Sequence, residues 1–175
     1  MKLSIKYLAP IVLLHFSASA QSIDSLFLSA SIAKLRHAKE YTVKVASLMP
    51  AERFGFKPVP EEMSFGEQLL HLSSNMGWLC SSYLGGSENP VTQADAKIQK
   101  KKEIIAVLNK TYDYAINTLS HFAPAHLSDT VSFFVGQMNK LQIMNLLNDH
   151  QTHHRAQMLV YLRLSGIKPP DYVGW

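Results

Sequence analysis

Four long stretches of this chain carry apolar side chains at helical spacing, each closed off by proline or glycine, and this pattern constrains the fold most. The first covers residues 23–49, with Leu26, Ala30, Ala33, His37 or Ala38, Tyr41, Val45 and Leu48 on one stripe, and Pro50 ends it. After a loop containing Pro58 and Pro60, Ser64-Phe65-Gly66-Glu67 has the Ser-x-x-Glu form of a capping box, in which side chain and backbone satisfy each other's free groups. It opens a second helix with Phe65, Leu69, Leu72, Met76, Leu79 and Tyr83 in steps of three and four, closed by Gly85-Gly86. A polar linker leads to a third helix over residues 94–122, ended by Pro124. Residues 126–138 lack a helical period, and Val131–Val135 reads as a short extended piece packed on the bundle. The fourth helix covers residues 139–165, where Gly166 stops it and Pro169-Pro170 prevents a restart. Four amphipathic helices with almost no strand signal predict an all-α four-helix bundle, and the longer second and third linkers predict crossover connections.

The first twenty residues stand apart. Lys2 and Lys6 precede an apolar run over Tyr7–Phe16, and Ala18-Ser19-Ala20 supplies the small residues a signal peptidase reads. This predicts a secretory signal peptide over residues 1–20 and a mature domain over residues 21–175. The run is too short for the roughly 20 residues a membrane span needs, and no later segment is apolar enough, so no span is expected after cleavage. The expected location is periplasmic or secreted. Loss of Lys2 and Lys6 lowers the formal charge from +4 to +2, a weak field that gives no reason to expect nucleic-acid binding. The lysine-dense segment Lys97–Lys102 reads as a solvated helix face rather than a phosphate site. Cys80 is the sole cysteine, which excludes an intramolecular disulfide, and its apolar neighbours Trp78, Leu79 and Tyr83 predict a buried, inert thiol.

Eight histidines are many for this length. His15 leaves with the leader, and His37, His121 and His126 are scattered. The fourth helix carries the stripe Ile143, Leu147, His150, His154, Met158, Tyr161, so two imidazoles sit one turn apart where the period calls for core. Residues i and i+4 can face one ion, and a shared metal relieves the cost of burying two polar rings. His150 with His153 is the other chelating pair this stretch allows, but residue 153 leans off the stripe and reads as a neighbour at the rim. His71, halfway along the second helix on a row with Glu67, Asn75 and Trp78, is the best third ligand. Three histidines on two helices leave coordination positions open, as catalytic sites do. Arg155, Gln157 and Tyr161 are candidates to line a pocket or support the ligands, with Arg155 and Gln157 equally readable as structural hydrogen bonders.

Other chemistries are disfavoured. His150-Gln151-Thr152-His153-His154 superficially resembles the zinc-protease motif, but Gln151 cannot act as the general base. There is no Glu-x-x-His pair for a carboxylate-bridged di-iron bundle, and no Cys-x-x-Cys-His for covalent haem.

The stretch Asp149–Gln157 (DHQTHHRAQ) followed by Tyr161–Tyr172 (YLRLSGIKPPDY) resembles the C-terminal signature of the DinB/YfiT-like superfamily. Phe56-Lys57-Pro58 through Met63–His71 (MSFGEQLLH) is similar to the start of that family's second helix. The resemblance spans essentially all of the mature chain. It implies a four-helix bundle in up-down-down-up order, often dimeric, with a divalent metal, commonly nickel or zinc, held by three histidines. Carried over residue by residue, these are His71, His150 and His154. Ala156 stands where the family usually has glycine. Cytoplasmic relatives often transfer low-molecular-weight thiols or isomerise thiol adducts, an activity that suits an exported chain poorly because such thiols are scarce outside the cytoplasm. The expected function is a metal-dependent hydrolase or transferase acting on a small molecule. The alternative is a non-catalytic homodimer that binds metal or a small ligand.

Overall fold

The helix ends are set by identifiable caps. The computed structural model describes residues 22–173, and the leader expected over residues 1–20 lies outside them. The elements are α1 (Ile23–Leu48), α2 (Phe65–Tyr83), α3 (Lys101–Ser120), β1 (Thr130–Phe133), β2 (Gly136–Asn139) and α4 (Lys140–Leu164), with single 3-10 turns at Ala51–Arg53, Asp95–Lys97 and Pro124–His126. The predicted capping box of α2 is present: Ser64 Oγ accepts from Glu67 N at 3.3 Å, and the Glu67 carboxylate accepts from Ser64 N at 2.6 Å. A second box, which the sequence reading did not foresee, opens α4. There Asn139 Oδ1 accepts from Gln142 N at 2.9 Å, and Gln142 Oε1 accepts from Asn139 N at 2.8 Å. Gly85 and Gly166, with φ of 76° and 74°, turn the chain out of α2 and α4 through left-handed backbone.

Four tertiary hydrogen bonds from three side chains establish the helix directions. Lys101 Nζ, at the start of α3, donates to Ser47 O and Met49 O at the end of α1, both at 2.7 Å. Tyr114, late in α3, donates to Ser87 O just beyond α2. Tyr161, late in α4, donates to Met63 O just before α2 at 2.8 Å. Hence α3 runs antiparallel to α1 and parallel to α2, while α4 runs antiparallel to α2, which is the up-down-down-up order. Each of α3 and α4 packs against both α1 and α2, placing α1 and α2 on one diagonal. Because α2 and α3 are parallel, residues 84–100 must return along the bundle over roughly 28 Å, the length of α2.

The structure differs from the sequence reading in three places. On α1 the buried residues are Leu28, Ser31, Leu35, Ala38, Tyr41, Thr42, Val45 and Ala46, whereas Leu26, Ala30, Ala33, His37 and Leu48 are exposed. Both sets repeat at helical spacing, and they coincide only at Ala38, Tyr41 and Val45. Helix α3 begins at Lys101 instead of residue 94. The Asp95 carboxylate accepts from Thr92 N and Thr92 Oγ1 at 2.7 and 2.9 Å, closing a separate turn, and Ile98 is extended before the helix starts. The expected single extended piece is a hairpin, with β1 antiparallel to β2 in the register Thr130↔Asn139 to Phe133↔Gly136. Its one buried side chain, Phe133, lies 5.5 Å from the Trp78 ring and 5.3 Å from the Tyr83 ring.

Cys80 is fully buried, and burial pushes its thiol up to about 12. The native protein is therefore expected not to react with an aromatic disulfide reagent at pH 8 and to react stoichiometrically once denatured. Rapid native reaction would contradict the packing described. Removing the α2 cap with Ser64→Ala is expected to lower stability by about 1 kcal/mol in urea denaturation.

Candidate metal centre

Antiparallel packing of α2 on α4 brings one turn of α2 level with two turns of α4. His71 lies between His150 and His154, with ring centroids 5.0 and 4.6 Å away. Its Nε2 is 3.2 Å from His150 Nε2, which is 3.2 Å from His154 Nε2. The candidate ligand atoms of the three residues lie within 4.8 Å of one another. Ligand nitrogens about 2.05 Å from a tetrahedral ion are about 3.3 Å apart, and the two Nε2 separations at His150 match that spacing.

Protonation is set by the surroundings. Burial pushes His71 below the ordinary imidazole range. Burial, followed by the neighbouring imidazoles, pushes His150 and His154 down to about 4. Neutral rings keep a lone pair each, which is what a metal ligand offers. His154 is oriented further. Its Nδ1–H donates to Gln68 Oε1 at 2.5 Å, which leaves Nε2 as the lone-pair nitrogen facing the cluster. The Gln68 amide is itself fixed, because its Nε2 donates to Gln157 Oε1 at 2.5 Å and to Tyr161 Oη at 3.3 Å. The Tyr161 hydroxyl proton is committed to Met63 O, so its oxygen is free to accept.

The other expected residues occupy separate positions. Gln157 and Tyr161 hydrogen-bond around the site through Gln68. His153 is exposed and accepts from Gln157 Nε2 at 2.8 Å, at the rim and outside the convergent set. Arg155 does not line a pocket at the histidines. It is buried towards α1, donating to Thr42 Oγ1, Gln151 Oε1 and Thr152 Oγ1 at 3.1–3.3 Å, with its guanidinium 5.3 Å from the Tyr41 ring. Ala156 is exposed, so no close helix approach within the monomer depends on its size. Glu67 is taken up by the α2 cap and by Lys57, 3.4 Å away. His121 and His126 bond locally to Asn117 O and Asp129. Gln68 is the functional residue that sequence reasoning missed. Its one signal was a polar residue adjoining the apolar stripe three positions before His71.

His71 also lines a cleft of about 390 Å³, walled by Glu61, Glu62 and Met63 of the preceding loop and by Leu70 and Ser74 of α2. A volume of that size suits a small organic molecule.

A family model described as the DinB superfamily matches residues 34–158, a span that includes all three histidines. The chain belongs to the DinB superfamily. Among solved structures, this DinB-superfamily chain is similar to a DinB-like protein from Bacillus cereus, with 23% identity and a TM-score of 0.72 over 87% of this chain and 99% of that one. It is also similar to a DinB-like protein from Bacillus subtilis, with 15% identity and a TM-score of 0.68 over 82% of this chain and 96% of that one. At these identities the likeness establishes the shared fold. No curated protein sequence matches.

A histidine whose folded-state pKa is depressed favours the fold fully above its unfolded value and loses that contribution as the pH falls through the folded one. The chelator-treated protein is therefore expected to lose thermal stability as pH drops from about 6.5 towards 4. A variant carrying both His150→Ala and His154→Ala should show a shallower decline. Parallel Tm–pH curves would show that the two rings do not resist protonation in the fold.

Proposed function

We propose that this DinB-superfamily chain is an exported, metal-dependent hydrolase or transferase acting on a small molecule. Its divalent ion, nickel or zinc, would be held by His71, His150 and His154. The observation that carries this reading is the position of His71, which belongs both to the convergent set of Nε2 atoms and to the wall of an open cleft. A structural metal site is closed by four protein ligands, whereas three ligands beside a cleft leave room for a substrate. When bound, the ion supplies Lewis acidity, polarising a substrate oxygen and favouring the ionised form of a nucleophile.

The chain's own residues contribute position and charge. Gln68 holds His154 in one tautomer, and the Tyr161–Met63 hydrogen bond anchors the end of the loop that walls the cleft. Of the cleft carboxylates, Glu67 is engaged by its cap, Glu62 lies against Tyr161, and Glu61 makes no hydrogen bond or ion pair among the described residues. Glu61 is therefore the carboxylate available to a substrate. Export rests on the leader read over residues 1–20. No helix among the described residues is long and apolar enough to cross a membrane.

A second reading, a non-catalytic homodimer that binds metal or a small ligand, is favoured by apolar side chains left on the outer faces of two helices. On α4 Val160 and Leu164 are 49% and 58% exposed, and on α1 Ile23 and Leu26 are 77% and 47% exposed.

Elemental analysis of the purified protein should find close to one equivalent of nickel or zinc, and much less in the His150→Ala plus His154→Ala chain. Equal metal in both would overturn the site. Ester and thiol-adduct substrates, tested with metal-loaded and chelated protein, separate the two readings. Metal-dependent turnover supports the enzyme, and metal binding without turnover across both classes supports the binder.

A further inference from the structure

Helix α2 carries a side-chain amide on either side of His71 along the face turned to α4, Gln68 three residues before it and Asn75 four residues after. Positions three and four apart lie on one helical face, so the row is amide, imidazole, amide. Because α2 and α4 are antiparallel, ascending α2 means descending α4. Gln68 meets Gln157 and His154, and His71 lies between His154 and His150. One turn further along α2, Asn75 comes level with the α4 turn that carries His150.

Four buried side-chain atoms in this region have no hydrogen-bond partner: Asn148 Oδ1 and Gln151 Nε2 share the α4 row that carries Arg155, whereas Asn75 Oδ1 and His150 Nδ1 belong to the α2–α4 seam. The latter two are complementary. When Nε2 of an imidazole serves as a ligand, the ring proton resides on Nδ1, and that N–H needs an acceptor. A side-chain carbonyl with no donor is such an acceptor. Gln68 plays this part for His154.

We infer that Asn75 is the positioning residue for His150, its carbonyl accepting the His150 Nδ1–H when the centre holds its ion. This inference rests on the three-histidine metal reading and adds to it. Each α4 ligand is then oriented by an amide from α2, and His71, between the two amides, completes the set. The two amides are neutral, so they fix the tautomer without drawing the ring proton away as a carboxylate does.

The test is zinc affinity, measured by competition against a chromophoric chelator with the purified protein, Asn75→Leu, Asn75→Asp and His150→Ala. Asn75→Leu keeps the bulk and removes the acceptor, and it is expected to bind zinc roughly 10- to 100-fold more weakly than the parent. Asn75→Asp restores an acceptor oxygen and should bind at least as tightly as the parent. Thermal unfolding of the metal-free proteins should place Asn75→Leu at or above the parent, so that a loss of affinity is not a loss of fold. In ¹⁵N NMR of the zinc-loaded parent, the His150 Nδ1–H should be protected from exchange, and Asn75→Leu should abolish that protection. Equal affinity of the parent and Asn75→Leu, with His150→Ala deficient, overturns the role of Asn75 and leaves the metal centre standing. Equal loss in Asn75→Leu and Asn75→Asp also overturns it, since the acceptor would not be what matters. Zinc bound equally by His150→Ala and the parent overturns the metal centre, and this inference with it.

Discussion

A single side-chain amide holds the site in register. Gln68 accepts from His154 and donates to Gln157 and Tyr161, and Tyr161 in turn binds the loop before α2 through Met63 O. One residue thus joins α2, α4 and the cleft-lining loop. Its orientation is over-determined, since reversing the amide would set a donor against the His154 N–H and an acceptor towards Gln157 Oε1. The geometry of the three imidazoles follows from this link together with the antiparallel packing of the two helices.

On the other side of α4 lies a second polar layer with a different purpose. Arg155 is buried with hydrogen bonds to Thr42, Gln151 and Thr152 and no carboxylate among them. Tyr112 donates to Gln151 Oε1 at 2.6 Å from α3, and Thr42 Oγ1 lies 3.0 Å from Tyr112 Oη. Burying a guanidinium is costly unless hydrogen bonds and neighbouring dipoles offset its desolvation. The face of Tyr41 contributes to that offset. This layer fixes the rotation of α4 against α1 and α3, and so fixes which face of α4 turns His150 and His154 towards α2.

Much of this was legible in the sequence. The i, i+4 pair on α4 and the Ser64 capping box are short-range patterns whose geometry depends on one helix alone, and the structure has both. The α1 stripe was read out of phase because Leu26, Ala30 and Ala33 repeat as regularly as Leu28, Ser31 and Leu35, and only tertiary packing chooses between them. Strand β2 was illegible because Gln137, Met138 and Asn139 carry no apolar alternation, and its pairing comes from Phe133 docking on Trp78. Gln68 and Asn75 look like ordinary polar helix residues until α4 is placed opposite them. For Arg155 the sequence leaves a pocket residue and a structural hydrogen bonder equally open, and only its partner Thr42, 113 positions away, decides for the second.

Helices adjacent in sequence do not build this centre. α1 and α2 lie on a diagonal, and His71 meets His150 across 79 positions of chain. No N-terminal fragment can hold the three imidazoles together, because α4 is the last helix to arrive. Ion capture would therefore be a late event, conditional on the whole chain having folded. Under the proposed export, with the chain threaded unfolded across a membrane, the free ions of the compartment of arrival, and not those of the cytoplasm, would decide which metal the histidines receive.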